Sequence, residues 1–364
     1  MRKVKVGVVG LGEVAQIIHL PILQQLADRF EIAALCDVSP GLLRAVGERY
    51  GVERRYTEAA ELTAQPDLNA VFVLNSDEYH ADHTIAALRN GKHVLVEKPM
   101  CLTLREADEI IQARDEAGVQ VMVAYMRRFA PAFEQAVEEV KRLPKINYAR
   151  VRDIIGRNRL VIDQSSVVLR FDDVPAVAQQ DRAERAQRLV DEAIGETARE
   201  LGGVYRLLLG LSSHDLSAMR ELIGVPKRVV AAVQWNGGLF LSAIFEHDGY
   251  YVAFETGIDD QRRFDAHIEV YGDTKSVRIQ YDTPYIRHLP TTLIIQQTIG
   301  DAFTETVIRP TFKDPYTHEL EHFYDVVIGK ATPKTTPEDF VEDLHLIGKI
   351  VQALLQAPAP AAVG

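Results

Sequence analysis

Cysteine is scarce in this sequence: Cys36 and Cys101 are the only two in 364 residues. Two thiols do not make the disulfide framework of a secreted scaffold, so a reducing, cytoplasmic setting is expected. Basic charge is also short. Lys and Arg number 41 against 52 Asp and Glu, a formal net charge of −11. That balance leaves no basic face of the kind nucleic acid requires and no basic patch for a membrane surface. No apolar run approaches the ~20 residues of a membrane span. The N-terminus runs directly into a strand-like stretch, with no signal-peptide pattern before it. Internal repeats are absent as well.

The remaining composition, 47% hydrophobic and 26% charged, is that of an ordinary globular protein. Its length is more than one core usually serves, which predicts two domains. Residues 3–9 form a short apolar run. Gly10-Leu11-Gly12-Glu13-Val14-Ala15 follows, and then an apolar segment of helical spacing. Strand, glycine turn and helix in that order are the context of a dinucleotide-binding fingerprint. Gly10 permits the tight turn, Gly12 lets the backbone approach a pyrophosphate, and Ala15 allows close helix–strand packing. Gly10, Gly12, Glu13, Val14 and Ala15 are therefore the candidate phosphate cradle, completed by the N–H groups and partial positive charge of the helix N-terminus.

A second element arrives at the expected distance. Residues 30–36 read as the next strand, and Asp37 closes it about 20 residues after the turn, where an acidic residue binds ribose hydroxyls. Its carboxylate repels a 2′-phosphate, and Val38-Ser39-Pro40 supplies no arginine to receive one. NAD is thus expected in preference to NADP. The competing reading, that Asp37 merely caps the next helix, explains less of the spacing.

Strand and helix alternate over the first ~125 residues, which predicts a parallel sheet. Strands are expected at 3–9, 31–36, 69–74, 93–96 and 120–124, and helices at 15–28, 40–50, 80–90 and 104–117. Ser39 and Thr103 are the expected helix caps. After residue 225, segments 228–235, 239–246, 250–257, 264–271, 275–281, 290–297 and 303–309 are rich in Val, Ile, Tyr, Phe and Thr, with turns such as Asn236-Gly237-Gly238 between them. They predict a large open, mainly antiparallel sheet. Residues 176–200 read as a charged, Ala-rich helix, an insertion (about 172–205) near the entrance of the second domain. A last helix is expected over 337–356. The tail 357–364 has the composition of a disordered linker. The expected organisation is an α/β chain: a Rossmann domain over 1–125 and a substrate and oligomerisation α+β domain over 126–356.

Val94-Leu95-Val96-Glu97-Lys98-Pro99 delivers a Glu-Lys pair to the end of a strand, where open parallel sheets place their ligands. Pro99 ends the strand and restricts Lys98 to an extended backbone. A lysine there can hydrogen-bond a substrate hydroxyl and stabilise charge developing on its oxygen. Position alone is equally compatible with a solvated lysine.

Taken together, Gly10-Leu11-Gly12-x-x-Ala15, Asn75-Ser76-Asp77-x-x-His80, Gly91-Lys92-His93-Val94 through Glu97-Lys98-Pro99, and Tyr125-Met126-Arg127-Arg128-Phe129-x-Pro131 resemble the glucose–fructose oxidoreductase / inositol dehydrogenase family of NAD(P)-dependent sugar and polyol oxidoreductases. Ser213-His214-Asp215 and Pro315-Tyr316-x-x-Glu319-Leu320-x-x-Phe323 extend the resemblance over nearly the whole chain. It implies that Asn75, Ser76, His80, Glu97 and Lys98 line the nicotinamide side of the cofactor. It also implies that Lys98 contacts the reacting hydroxyl, that Arg127 sits beside the substrate, and that His214 is the acid/base. The substrate would be a sugar, cyclic polyol or glycoside. A homodimer or homotetramer built on the open sheet is implied too.

Two positions depart from the family. Four residues before the histidine, where an aspartate is usual, stands Gly210, and Met126 replaces a common asparagine. Glycine cannot orient an imidazole, so Tyr205, Asp215 or the pair Asp172-Asp173 would have to substitute. Otherwise the chain is a dinucleotide-binding regulatory or scaffolding member that has lost catalysis. His318-Glu319-Leu320-Glu321-His322 matches the zinc-protease pattern H-E-x-x-H, but no third ligand follows nearby and no metal is expected.

Overall fold

The computed structural model describes residues 3–356, and the tail at 357–364 lies outside them. Strands β1 (Val4–Val9), β2 (Phe30–Cys36), β3 (Arg55–Tyr56), β4 (Ala70–Val73), β5 (His93–Glu97) and β6 (Val121–Ala124) come first. Strands β7 (Tyr148–Gly156), β8 (Arg228–Trp235), β9 (Phe240–Glu246), β10 (Tyr251–Asp259), β11 (Phe264–Tyr271), β12 (Lys275–Tyr281), β13 (Thr292–Ile299) and β14 (Ala302–Ile308) follow. Helices α1 (Leu20–Gln25), α2 (Pro40–Tyr50), α3 (Ala59–Thr63), α4 (His80–Arg89) and α5 (Leu104–Ala117) alternate with the first strands. Later come α6 (Pro131–Lys141), α7 (Arg159–Ser165), α8 (Ala176–Ile194), α9 (Gly202–Leu207), α10 (Ser213–Ile223), α11 (Pro315–Val327) and α12 (Pro337–Gln356).

The chain divides into two compact units, neither contiguous in sequence. The first comprises residues up to Phe129, Ile162–Ala193 and Lys313–Val341; the second comprises Ala130–Val161, Ile194–Phe312 and residues from Glu342 onward. The helical insertion thus contributes most of its length to the first unit rather than lying with the second. Its ion pairs show why: Arg185 meets Asp82 at 2.7 Å, and Glu192 meets Arg105 at 2.9 Å.

In the first unit, six parallel strands run in the order β3-β2-β1-β4-β5-β6. This is a doubly wound sheet whose order reverses between β1 and β4. Its central strands are apolar throughout because helices cover both faces: every residue of β4, and Val94, Leu95 and Val96 of β5, are fully buried. The expected caps are in place. Ser39 Oγ accepts from Leu42 N at 3.1 Å, and Thr103 Oγ1 accepts from Glu106 N at 3.1 Å. The helix expected over 15–28 differs. It opens with a π-turn, Ala15–His19, before α1 begins.

In the second unit, eight strands run β14-β13-β12-β11-β7-β10-β9-β8, antiparallel except for the parallel β7–β10 pair. Seven of them fall within two residues of the expected segments. The eighth, β7, is central. Val151, Phe245, Phe254, Ile268, Val277 and Ile279 fill the inner face. The opposite face carries ion pairs, with Arg150 Nε donating to Glu255 at 2.9 Å and Arg152 Nε to Asp265 at 2.7 Å. No described helix is long and apolar enough to cross a membrane.

Candidate active site

The glycine turn lies at the switch point of the parallel sheet. Gly10 has φ +90°, and a Cβ there would stand 2.4 Å from Asn75 N. Only glycine both adopts that backbone and lets the β1 and β4 loops touch. A Cβ on Gly12 would meet nothing within 4 Å, so the space in front of it is open. Leu11 N and Ser39 N donate to the two oxygens of Asp37 at 2.8 and 2.9 Å. The Asp37 carboxylate is thereby fixed across the mouth of the turn. Burial raises the Asp37 carboxyl above its ordinary range, the two N–H groups oppose that, and nearby Asp173 adds to it. Open space before Gly12, a fixed acid at the end of β2 and a helix start following the turn fit a dinucleotide.

Behind the end of β5 lies a buried polar cluster. His19, the last residue of the π-turn, is fully buried, and its Nε2 is 2.8 Å from Glu97 Oε1. The other Glu97 oxygen accepts the backbone N–H of Lys98 at 3.1 Å. Burial works against the Glu97 charge, but His19, Lys98 and His80 outweigh it and hold the carboxyl below its ordinary range. Glu319 of α11 is wholly buried, and neither of its oxygens has a hydrogen-bond partner. Burial first, then Glu97 and Asp314, push it well above its ordinary range. The two carboxyls of this neighbourhood are shifted in opposite directions, Glu97 toward its charged form and Glu319 toward its neutral form.

The β4–α4 loop is tied down by two histidines. His80 Nε2 lies 2.9 Å from Asn75 O and its Nδ1 2.7 Å from Pro99 O, linking this loop to the one after β5. Both partners only accept, so a neutral ring satisfies one of them at a time. His83 Nδ1 is 3.1 Å from Asn75 Oδ1, and burial pushes this ring down to about 4. The Asn75 side-chain amide donates to Ser76 O at 3.0 Å. Asn75, Ser76, His80, Glu97 and Lys98 therefore come together at neighbouring strand ends of one sheet.

Arg127 lies in the short turn Met126–Phe129 and is almost fully buried. The turn is anchored by Arg128 pairing with Asp339 and by Lys334 Nζ donating to Arg128 O at 2.5 Å. His214, in the second unit, occupies the first turn of α10 and is largely buried. A π-turn, Leu208–Ser212, precedes it. A Cβ at Gly210 would meet nothing within 4 Å, so an aspartate is not excluded there by packing. Of the proposed substitutes, Asp173 is engaged elsewhere: it receives Gly41 N at 2.6 Å and the Ser39 hydroxyl.

The H-E-x-x-H segment lies in α11. His322 Nε2 is 3.0 Å from Thr332 O, and Glu319 is buried in the cluster described above. Among the described residues, no group of three or more His, Cys, Asp or Glu side chains is placed to hold a metal ion. Sequence reasoning missed His19 and Asp173 as members of this neighbourhood. A lone histidine in the run Ile17-Ile18-His19-Leu20 is a signal for the first; nothing local marks the second.

A parallel sheet of this order, with a glycine turn and an acidic residue at its switch point, has the architecture of a dinucleotide-binding α/β protein. The comparisons narrow this. A family model described as an oxidoreductase family with an NAD-binding Rossmann fold matches residues 4–125. Myo-inositol 2-dehydrogenase of Thermotoga maritima is 27% identical over 351 residues, which span 92% of this chain and 91% of the relative. Two solved structures share the fold over 98% of both chains. Myo-inositol 2-dehydrogenase of Lactobacillus plantarum does so with a TM-score of 0.72 at 20% identity. A 3-ketoreductase of Actinomadura kijaniata, solved with NADP, does so at 0.71 and 18%. Residues 4–125 therefore match the NAD-binding Rossmann domain of the Gfo/Idh/MocA oxidoreductase family, and over nearly its whole length the chain is similar to inositol dehydrogenases and related oxidoreductases. With an NADP complex among its structural neighbours, the choice of cofactor falls to this chain's own residues.

Proposed function

We propose that this protein is an NAD-dependent oxidoreductase that transfers hydride between nicotinamide and a secondary hydroxyl of a sugar, cyclic polyol or glycoside. The observation that carries the reading is the end of β5. There Glu97, fixed by His19, holds the Lys98 backbone beside the Asn75 loop. When bound, the nicotinamide supplies the hydride acceptor. Gly10, Gly12, Glu13, Val14 and Ala15 bind the phosphates, Asp37 holds the ribose, and Asn75, Ser76 and His80 shape the nicotinamide side. Lys98 positions the substrate hydroxyl and stabilises negative charge on its oxygen. Arg127 orients the substrate, and His214 exchanges the proton. Two buried free cysteines accord with a cytoplasmic home. The open sheet of the second unit serves a homodimer or homotetramer.

The test is direct. Lys98→Met should lower turnover by about 10³-fold or more while NAD+ still binds; retained turnover sinks the mechanism. Substrate is found by following reduced-cofactor absorbance over a panel of inositols and sugars. Gly210 favours a second reading, a dinucleotide-binding member without catalysis. Tight NAD+ binding with silence across the panel would support that reading, and turnover of any panel member rejects it.

A further inference from the structure

The segment before α8 crosses the dinucleotide turn and is fastened to it. The buried Gln16 side chain grips Leu169 in both directions, donating to its carbonyl at 3.1 Å and accepting its N–H at 2.9 Å. Arg170 reaches Glu13 at 2.5 Å. Four residues after Leu169, Asp173 seats its carboxylate on the first turn of α2, receiving Gly41 N at 2.6 Å and the hydroxyl of Ser39. The seat is built for it. A Cβ on Gly41 would stand 2.6 Å from Asp173 Oδ2 and 2.7 Å from Phe171 Cδ1, so a larger residue there would have to displace both side chains.

Those two donors have an obvious alternative use. The adenosine ribose binds at Asp37, and the turn that follows is where a 2′ substituent lies. A helix N-terminus with a free N–H and a hydroxyl is a ready phosphate site. Arg44, on the same helix, would complete it. In this chain the hydroxyl, the N–H and the nearby arginine all serve Asp173. The Ser39 hydroxyl first, then the Gly41 N–H and Arg44, hold its carboxyl below the ordinary range, so it is an anion at neutral pH.

We propose that Asp173 is a second cofactor-selectivity residue, one that fills the 2′-phosphate position with a carboxylate of the chain itself and so excludes NADP. The proposal rests on the NAD reading above and extends it: Asp37 repels the 2′-phosphate, and Asp173 removes the groups that would bind it. Selectivity then depends on a remote segment as well as on the β2–α2 turn.

Calorimetric titration of the full-length protein with NAD+ and, separately, with NADP+ tests this without any need for a substrate. Wild type should bind NAD+ more tightly. Asp173→Ala should tighten NADP+ by about tenfold or more and change NAD+ by less than about threefold. Arg44→Ala in that background should remove most of the gain. Asp173→Asn, which removes charge but keeps the shape, should shift the ratio in the same direction. The NAD+/NADP+ ratio within one variant is insensitive to the fraction folded, so partial destabilisation does not obscure it. An unchanged ratio in both Asp173 variants makes Asp173 only a brace for α2 and overturns this inference while leaving the NAD reading intact. A wild type that binds NADP+ as well as NAD+ overturns the NAD reading itself.

Discussion

Two glutamates share the buried ground behind β5 and are pushed toward opposite protonation states. Glu97 has His19 at 2.8 Å and the Lys98 N–H at 3.1 Å, so its charge is sustained. Glu319 has no such donor among the described residues, and ionising it would place a second anion beside Glu97 in a buried setting. Its pH dependence follows. In the folded state Glu319 keeps its proton well above the ordinary 4.5, whereas in the unfolded chain it releases it near that value. The unfolded state binds fewer protons above pH 4.5, so this residue makes stability fall as pH rises. Its contribution is intact below about pH 4.5 and is progressively lost above it. Glu319→Gln removes the titration. Chemical denaturation from pH 5 to 8 should show the variant gaining on wild type with rising pH, by at most about 1.4 kcal/mol per unit. Parallel curves would mean that Glu319 is ionised in the folded protein.

At the level of elements, the caps read most clearly. Thr103 bonds Glu106 N, and the Glu106 carboxylate returns to Leu102 N at 3.0 Å, a reciprocal closure of the α5 N-terminus. Thr103 is buried, so water cannot replace its hydroxyl. Thr103→Ala should cost about 1 kcal/mol in urea denaturation with little change in slope; a loss within experimental error would show that Glu106 alone suffices. Such caps are legible because the chemistry is local. Thr103 and Glu106 are three residues apart, and the fingerprint and Asp37 have a fixed spacing. Strand β7 was not legible. Its inward row, Ala149, Val151, Asp153 and Ile155, contains a carboxylate, and its outward row contains Arg150 and Arg152, so the alternation carries little hydropathy. What makes it a strand is its pairing with β10 and β11, which lie about a hundred residues further along the chain. The π-turns at Ala15–His19 and Leu208–Ser212 escaped for a related reason. Their composition is simply helical, and the wider register brings His19 to Glu97 only once β5 is beside it. Asp173 is the extreme case. Its partners are 132 and 134 positions away, and no spacing rule links them.

For the whole molecule, the open face of the large sheet is where the proposed assembly is tested. Three tyrosines stand in register across it: Tyr251 opposite Tyr148, and Tyr148 opposite Tyr271, with the last two rings 5.6 Å apart. Ile244 lies one strand over from Tyr251, Val233 and Trp235 stand further along β8, and each of the three is at least about a third exposed. Toward the middle of the face, Arg150, Arg152, Glu255 and Asp265 form a ladder of alternating charge. Apolar side chains around a charge-paired centre suit a symmetric interface, in which each copy presents the same surface to the other. Exposed aromatic and aliphatic side chains on the outer face of a sheet are suited to burial against a second copy. Sedimentation velocity at micromolar concentration should therefore show a dimer or tetramer, and the melting temperature should fall on dilution. Ile244→Arg combined with Tyr251→Arg adds positive charge to the β9–β10 part of this face, near Arg150 on the neighbouring β7, in both copies. That variant should sediment as a smaller species, with a melting temperature that no longer depends on concentration. A wild type that is monomeric throughout would assign the exposed face to solvent, and an unchanged assembly in the double variant would move the interface to another surface.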